Sequence, residues 1–375
     1  MENHDVIVVG VGGMGSAAVF QLAARGVDVL GLEQYDIPHT NGSSHGVTRI
    51  IRKGQHEHPA YVPLVRRAYD HWTALESRTG RTLMHVTGGI TIGSPNSQLF
   101  SATLRSCKRH DVDHEVLSED AVNERFPAYE LPHDQRAVYE PDSGFLVPEQ
   151  CLIAHVEAAH EEGAEIRARE PVQDITPVSS GRVRVATQTG TYEADRLVVT
   201  AGAWTGKLLP TLSDVAVPVR QVLAWFQPTV PAQFDPEHFP VFAHATGEGH
   251  YYGSPRYDVP GFKVGRFDHL ETAVDPDEMD RRPQPEDEAV LRSYVERYVP
   301  DGVGPTMRRA TCMYTNTPDK RFILDTHPDY PQIVIGAGFS GHGFKFASVI
   351  GEILADFAVD EGTDFDVTPF RLGRF

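Results

Sequence analysis

The stretch "DVIVVGVGGMGSAAVFQLAARGVDVLGLE" runs from Asp5 to Glu33, and its reading decides the fold. Asp5–Val9 is a short apolar run suited to a strand buried on both faces. A glycine-rich turn and an alanine-rich helical segment follow, and Val27–Glu33 reads as a second strand. Gly10-x-Gly12-x-x-Gly15 lies between strand and helix, the context in which this spacing carries meaning. Gly10 permits the tight turn, Gly12 lets the backbone approach a pyrophosphate, and Gly15 lets helix and strand pack closely. The helix start offers free N–H groups and a positive dipole end to phosphates. Glu33 ends the second strand, where a carboxylate can accept from ribose hydroxyls and disfavours a 2′-phosphate. A dinucleotide site follows; at this point FAD and NAD both fit, and NADP does not.

The same grammar recurs near the end. "QIVIGAGFSGHGFKFASVIGEILADF" (Gln332–Phe357) is again strand, glycine-rich turn and helix, with Phe346, Ile350, Ile353 and Phe357 on an apolar face. The bland alternative is an ordinary glycine-rich loop. Two helix starts aimed at one ligand suit FAD, whose long body must be held at both ends. Between them, Tyr61, Val65, Ala68, Trp72 and Leu75 recur at helical spacing, and "ADRLVVTAGAW" (Ala194–Trp204) is another buried strand ending in a turn. From about Thr82 to Ser143, and over 216–311, shorter strand-like runs with turns, aromatics and prolines take over. The pattern predicts an α/β fold: a Rossmann-like FAD-binding domain from 1–82, 147–215 and 312–375, and an inserted antiparallel-sheet substrate domain, α+β in character, from 83–146 and 216–311.

Composition narrows the partners. The 375 residues carry a net charge of −18, which argues against nucleic acid and anionic membrane surfaces. No apolar run approaches the roughly 20 residues needed to span a bilayer. The first strand begins almost at once, without a basic start or cleavage site, so no signal peptide is expected. Three scattered cysteines make no disulfide framework, and a cytoplasmic location is expected. Only 6 of 34 basic residues are lysine, a bias shared by high-salt proteins and GC-rich genomes.

Several residues stand out against that background. "NGSSHGVTRIIR" (Asn41–Arg52) ends in Arg49 and Arg52, three apart, suited either to carboxylate binding or to surface ion pairs. Lys345 sits between Phe344 and Phe346 at a helix start, which favours a poised over a solvated role. Lys263, in "PGFKVGRF", is read as half buried, holding a water or anion, or as snorkelling to solvent. Cys312, in the Thr-rich run "RATCMYTNTP" (Arg309–Pro318), reads by itself as a small buried filler. His56-Glu57-His58 and His342 show no convergent ligand set, so no metal is expected, and no GxSxG serine motif occurs.

Taken together, "VGVGGMGSAA", "PHTNGSSHGVTRIIR", "TAGAW", "YYGSP", "GFKVG", "CMYT" and "AGFSGHGFKF" resemble the monomeric sarcosine oxidase family, flavoproteins related to N-methyltryptophan oxidase and more distantly to D-amino-acid oxidase. The resemblance covers nearly the whole chain. It implies FAD bound covalently, with Cys312 forming a thioether to the 8α-methyl group of the flavin. It implies cofactor contacts at Gly10, Gly12, Gly13, Met14, Gly15, Glu33, Ser43, His45, Arg49, Gly338, Gly341, Gly343, Phe344 and Lys345. Arg52 and Lys345 match the residues that clamp a substrate carboxylate. Lys263 matches the lysine that holds a water at the flavin and activates oxygen. His45 and Arg49 match residues near the ring, Tyr252 and Tyr314 match pocket aromatics, and Gly341 and Thr315 match positions around substrate and ring. The implied reaction oxidises a secondary amino acid such as sarcosine to an imine, which water hydrolyses, while oxygen becomes hydrogen peroxide. The implied partners are a small amino acid and oxygen, and the implied state is a monomer. Alternatives are a cyclic or larger secondary amino acid as substrate, a flavin dehydrogenase with another acceptor, and a non-catalytic nucleotide-binding protein. The family's Lys-x-Gly-x-His run is here Lys263-Val-Gly-Arg-Phe267, with the nearest histidine at His269, and Ala243 stands where a bulkier residue is common. Both departures point toward a longer amine than sarcosine.

Overall fold

In the computed structural model, which describes residues 2–360 and 362–375, the first strand is Glu2–Val9, with its last four residues buried. It lies inside a sheet, between Val29–Leu32 and Thr191–Val199, both parallel to it. Glu165–Arg167 and Ile333–Ala337 extend the parallel set outward on either side. Val172–Pro177 and Val183–Thr187 add an antiparallel ribbon against the start of the long strand Thr191–Val199, and Ile323–Thr326 closes the other edge. Strand alternation divides the core. Val6 and Val8 face the helices, while Ile7 and Val9 face a second apolar layer with Leu209 and Leu212.

The helical layer contains Gly13–Ala23, Tyr61–Thr79, Pro148–Glu161 and Ala347–Val359. The expected stripe of Tyr61, Val65, Ala68, Trp72 and Leu75 is buried, and the helix ends at Gly80 in the left-handed conformation. The Trp72 indole N–H donates to the Lys345 carbonyl at 3.0 Å, fixing the turn ahead of the last helix. That last helix was expected to bury one stripe. It is buried nearly all round, because the first helix packs directly on it: a Cβ at Gly351 would meet Ala17 backbone at 2.5 Å.

The second sheet has eight strands, in the order Thr306–Asn316, Val217–Phe226, Phe262–Arg266, Gly249–Ser254, Val241–Thr246, Gly89–Gly93, Arg136–Glu140, Glu115–Ser118. Its neighbours are antiparallel except Val241–Thr246 with Gly89–Gly93, a parallel seam where the two inserted segments meet. The boundary expected at residue 312 falls inside Thr306–Asn316, which pairs along its length with Val217–Phe226. Helix Pro285–Tyr298 lies in a region read as strands and prolines. Its signal is local: Pro285 at the first position, acidic residues in the first turn, and a capping box between Gln284 and Asp287.

The close approach of Gly351 to Ala17 carries a test. Gly351→Val must push the first and last helices apart, at a cost of about 1–3 kcal/mol for an overpacked contact. A thermal melt should show the transition lowered by several degrees. An unchanged melting temperature would show that these helices do not meet at this register.

Candidate active site

A cavity of about 570 Å³ runs from the glycine turn of the first sheet to the face of the second, lined by Gly10, Gly12, Gly13, Met14 and Glu33 at one end and by Arg52, Lys263, Tyr252, Tyr314 and Lys345 at the other. At the nucleotide end, Gly10 has a φ of +91°, and a Cβ on Gly15 would lie 1.8 Å from the Gly10 carbonyl oxygen. Only glycine fits where turn and helix touch. Glu33 is buried and accepts from the Val11 N–H at 2.9 Å and the Tyr35 N–H at 3.0 Å. Ser44, not singled out from the sequence, accepts from the Gly13 N–H at 3.1 Å through its hydroxyl. Its neighbour Ser43 lines the cavity and offers its carbonyl to Arg49 at 2.9 Å. The two glycine-rich turns meet here: a Cβ on Gly13 would come within 3.0 Å of Phe344, and one on Gly343 within 3.0 Å of Met14. Gly15, His45 and Gly338 lie off the cavity wall, whereas Gly341, Gly343, Phe344 and Thr315 line it.

Cys312 is a free, buried thiol on the cavity wall, opposite Gln221 across the ladder. Its sulfur lies 3.7 Å from Arg49 Nη2, which also donates to the Ser43 carbonyl at 2.9 Å, while Nη1 of the same guanidinium donates to the Thr48 carbonyl at 2.9 Å. The other two cysteines are core residues: burial pushes the Cys107 thiol up to about 12 and the Cys151 thiol well above its usual value. Lys263 is not a surface lysine. It is 4% exposed, and its ammonium donates to the Gly46 carbonyl at 3.0 Å, the Thr48 carbonyl at 2.5 Å and the Thr48 hydroxyl at 3.2 Å. Burial, aided by Arg49, pulls its pKa well below the usual lysine range. Burial and the same cations pull His45 down to about 3, so its ring is neutral.

At the opposite end, His56, Glu57 and His342 converge after all, but around Arg52 and Lys345. Arg52 donates to Glu57 at 2.9 Å, to His56 Nδ1 at 2.9 Å, and to the Gly54 carbonyl. Burial alone would raise the Glu57 carboxyl; the Arg52 guanidinium paired with it holds it well below its usual range. Lys345 donates to the His342 carbonyl at 2.7 Å, and burial brings its pKa down to about 7. Burial keeps His56 near 3 and His342 near 4, so both are neutral. With two cations among them, the group is built for an anion rather than for a metal.

The wall between these ends is aromatic. Tyr314 donates to and accepts from Asp268, and its ring stacks 5.6 Å from Phe267. Gly341, with a φ of +76°, has no room for a Cβ, which would lie 2.9 Å from the Phe267 ring and 2.8 Å from Tyr314. Tyr252 is half-buried, and desolvation raises its phenol. His269 does not replace the missing histidine: it is buried against Asp287 at 2.8 Å, off the cavity wall. Phe267 therefore stands at the wall, which Ala243, Ile50 and Leu99 also line. The site fits a long cofactor with polar atoms along its body. Gln221 Nε2 and Thr315 Oγ1 line the cavity, are buried and have no partner in the protein, and His45 Nε2 behind them is also unpaired.

The FAD dependent oxidoreductase family model matches residues 5–357. The chain is 41% identical to a monomeric sarcosine oxidase of Bacillus sp. (strain NS-129), covering 100% of this chain and 98% of that protein. It is 37% identical to an N-methyl-L-tryptophan oxidase of Yersinia pestis (strain Pestoides F) over the full length of both. Among solved structures, NikD, an unusual amino acid oxidase essential for nikkomycin biosynthesis, superposes with a TM-score of 0.86 at 26% identity, over 99% of this chain and 98% of that one. The chain belongs to the FAD dependent oxidoreductase family, as a full-length relative of the monomeric sarcosine oxidases and N-methyl-L-tryptophan oxidases.

Proposed function

We propose that this protein, as a monomer, oxidises the carbon–nitrogen bond of secondary amino acids bearing an N-methyl group, and that water hydrolyses the imine to an amine and an aldehyde. The observation that carries this reading is a buried cationic pair, Arg52 and Lys345, at one end of a cavity whose floor holds Cys312, Arg49 and Lys263. FAD, when bound, would accept a hydride equivalent from the C–H next to the amine nitrogen, leaving a C=N bond as the nitrogen loses its proton, and would pass the two electrons to oxygen, giving hydrogen peroxide. The chain's residues place the groups around it. Gly10, Gly12, Gly13, Ser44 and Glu33 hold the nucleotide end. Cys312 is proposed as a covalent anchor, because it is the cysteine that faces the cavity and a guanidinium lies beside it. Arg52 and Lys345 bind the substrate carboxylate, and Tyr252, Tyr314 and Phe267 wall the amine end against water. Lys263 supplies a fixed positive charge where oxygen would become an anion.

A specific observation favours substrates larger than sarcosine. Phe267 puts an apolar ring on the wall at the position where the family resemblance implies a histidine, and Ala243, Ile50 and Leu99 add apolar side chains to the same cavity lining. A peroxide assay over sarcosine, N-methyl amino acids of increasing side-chain size, proline and pipecolate tests both levels. Peroxide from any of them supports oxidase chemistry, and a preference for larger side chains supports the wider pocket. Flavin reduction by an amine under nitrogen without peroxide release in air would instead favour a dehydrogenase.

Three further outcomes are expected. Acid precipitation should leave flavin on the wild-type protein and release it from Cys312→Ala; full release from the wild type removes Cys312 as anchor. A charge-assisted carboxylate contact contributes about 1.5–3 kcal/mol, so Arg52→Ala or Lys345→Met should weaken substrate binding about tenfold or more. Lys345 also sets a pH dependence. Its pKa near 7 means its charge is present below pH 7 and lost above it, so affinity for a simple carboxylate without an amine should fall as pH rises through 7. Lys345→Met should flatten that dependence, and an equally steep fall in the variant would assign it to another group.

A further inference from the structure

The turn Gly46–Thr48 is held in a conformation its sequence does not favour. Gly46 has a φ of +100° and Val47 a φ of +70°, and the Thr48 N–H donates back to the Gly46 carbonyl at 2.8 Å. This is a one-residue γ-turn, and a β-branched side chain at positive φ is strained. Such strain, typically about 1–3 kcal/mol, persists only where the surroundings hold it.

Two opposite charges hold it from its two sides. On the N–H side, the Glu149 carboxylate accepts from Gly46 at 2.7 Å and from Val47 at 3.1 Å through one oxygen. On the C=O side lies the Lys263 ammonium, donating to the Gly46 and Thr48 carbonyls and to the Thr48 hydroxyl. The Thr48 hydroxyl is in turn 2.8 Å from the Ser254 hydroxyl. The peptide dipoles thus run from carboxylate to ammonium, each end satisfied by full charge. The two charges come from different units: Glu149 from the first turn of helix Pro148–Glu161, and Lys263 from strand Phe262–Arg266 of the second sheet. Glu149 does not line the cavity, so it touches neither cofactor nor substrate.

We propose that Glu149 is a positioning residue for Lys263: its carboxylate clamps the strained Gly46–Thr48 turn so that the carbonyls of Gly46 and Thr48 hold the Lys263 ammonium in place and charged at the cavity wall. This rests on the role for Lys263 proposed above. The charged and titratable groups facing Lys263 are Arg49 and Arg308, which oppose its charge, Glu149 and Cys312, which favour it, and the neutral ring of His45. If Cys312 is engaged with the cofactor, Glu149 is the remaining favourable charge of that set.

Two measurements on the holoenzyme decide the matter. The first is a double-mutant cycle in denaturant unfolding with Glu149→Gln, Lys263→Met and both together. Clamp and ammonium acting through one turn predict strongly non-additive losses, whereas additive losses overturn the clamp. If Glu149→Gln fails to fold, Glu149→Asp takes its place in the cycle. The second is stopped-flow reoxidation of the reduced enzyme by oxygen across pH. Removing the carboxylate should let Lys263 lose its proton at lower pH, so Glu149→Gln should slow reoxidation about tenfold toward the alkaline end of the range and less toward the acid end. Anaerobic flavin reduction by the amine should change much less. Glu149→Asp, which keeps the charge, should restore most of the alkaline rate; no difference between Gln and Asp overturns the electrostatic part. If Lys263→Met reoxidises at the wild-type rate, the oxygen role of Lys263 fails, and the unfolding cycle still judges the clamp.

Discussion

Four cations enclosed in one cavity set the terms for this molecule. Arg49, Arg52, Lys263 and Lys345 all line it, and Lys263 and Lys345 are each 4% exposed. Burying a charge costs several kcal/mol unless compensating groups are fixed around it. Here the compensation is largely backbone: the carbonyls of Ser43 and Thr48 for Arg49, Gly54 for Arg52, Gly46 and Thr48 for Lys263, and His342 for Lys345. The loops that supply those carbonyls are therefore as much part of the site as the cations. Their strained residues, Val47 and Ser340 among them at positive φ, cluster where the carbonyls must be aimed.

That requirement explains the interleaved topology. No single segment could surround the cavity with both phosphate-binding helix starts and a cation-bearing floor. The first sheet delivers the turn at Gly10–Gly15 and the turn before Lys345, while the second delivers Lys263 and Cys312 on the two strands that flank Val217–Phe226. Joints such as the Trp72 hydrogen bond to Lys345 and the three-stranded patch of Arg49–Ile51, Met84–Val86 and Gly144–Leu146 tie the loops to rigid elements.

What was legible in the sequence follows from range. The nucleotide turn was legible because Gly10, Gly12, Gly15 and Glu33 lie on one βαβ unit, where spacing dictates geometry. The helix carrying Trp72 was legible because its apolar spacing is local. By composition alone, Cys312, Lys263 and Arg52 were ambiguous; the family resemblance, not periodicity, singled them out. Glu57, Ser44 and Glu149 carried no local signal. Each matters through a contact distant in sequence or with backbone, as when Glu149 meets Gly46 across 103 residues. Helix Pro285–Tyr298 was missed although its cap was written locally, because aromatic residues and prolines nearby suggested strands. His269 shows the opposite failure. Although it is the nearest histidine in sequence to the Lys263-Val-Gly-Arg-Phe267 run, the positive φ values at Asp268 and Leu270 around it and its bond to Asp287 turn it into the core.

Glu57 bears on how much binding free energy a substrate can gain. Arg52 is not waiting for an anion; a carboxylate of the same chain already holds it at 2.9 Å. An incoming carboxylate that engages Arg52 exchanges one ion pair for another, so only the difference between them appears as affinity. The internal pair has a function all the same. With Arg52 and Lys345 both buried, an unpaired site would place two cations in low dielectric with nothing between them, and Lys345 would release its proton more readily still. Glu57 keeps the cationic charge in place before substrate arrives. Lys345, with a pKa near 7, is the member whose charge the arriving carboxylate can most easily restore. On the proposed reading, carboxylate recognition in this cavity divides into two parts: a permanent guanidinium whose partner is exchanged, and a lysine whose proton is recruited.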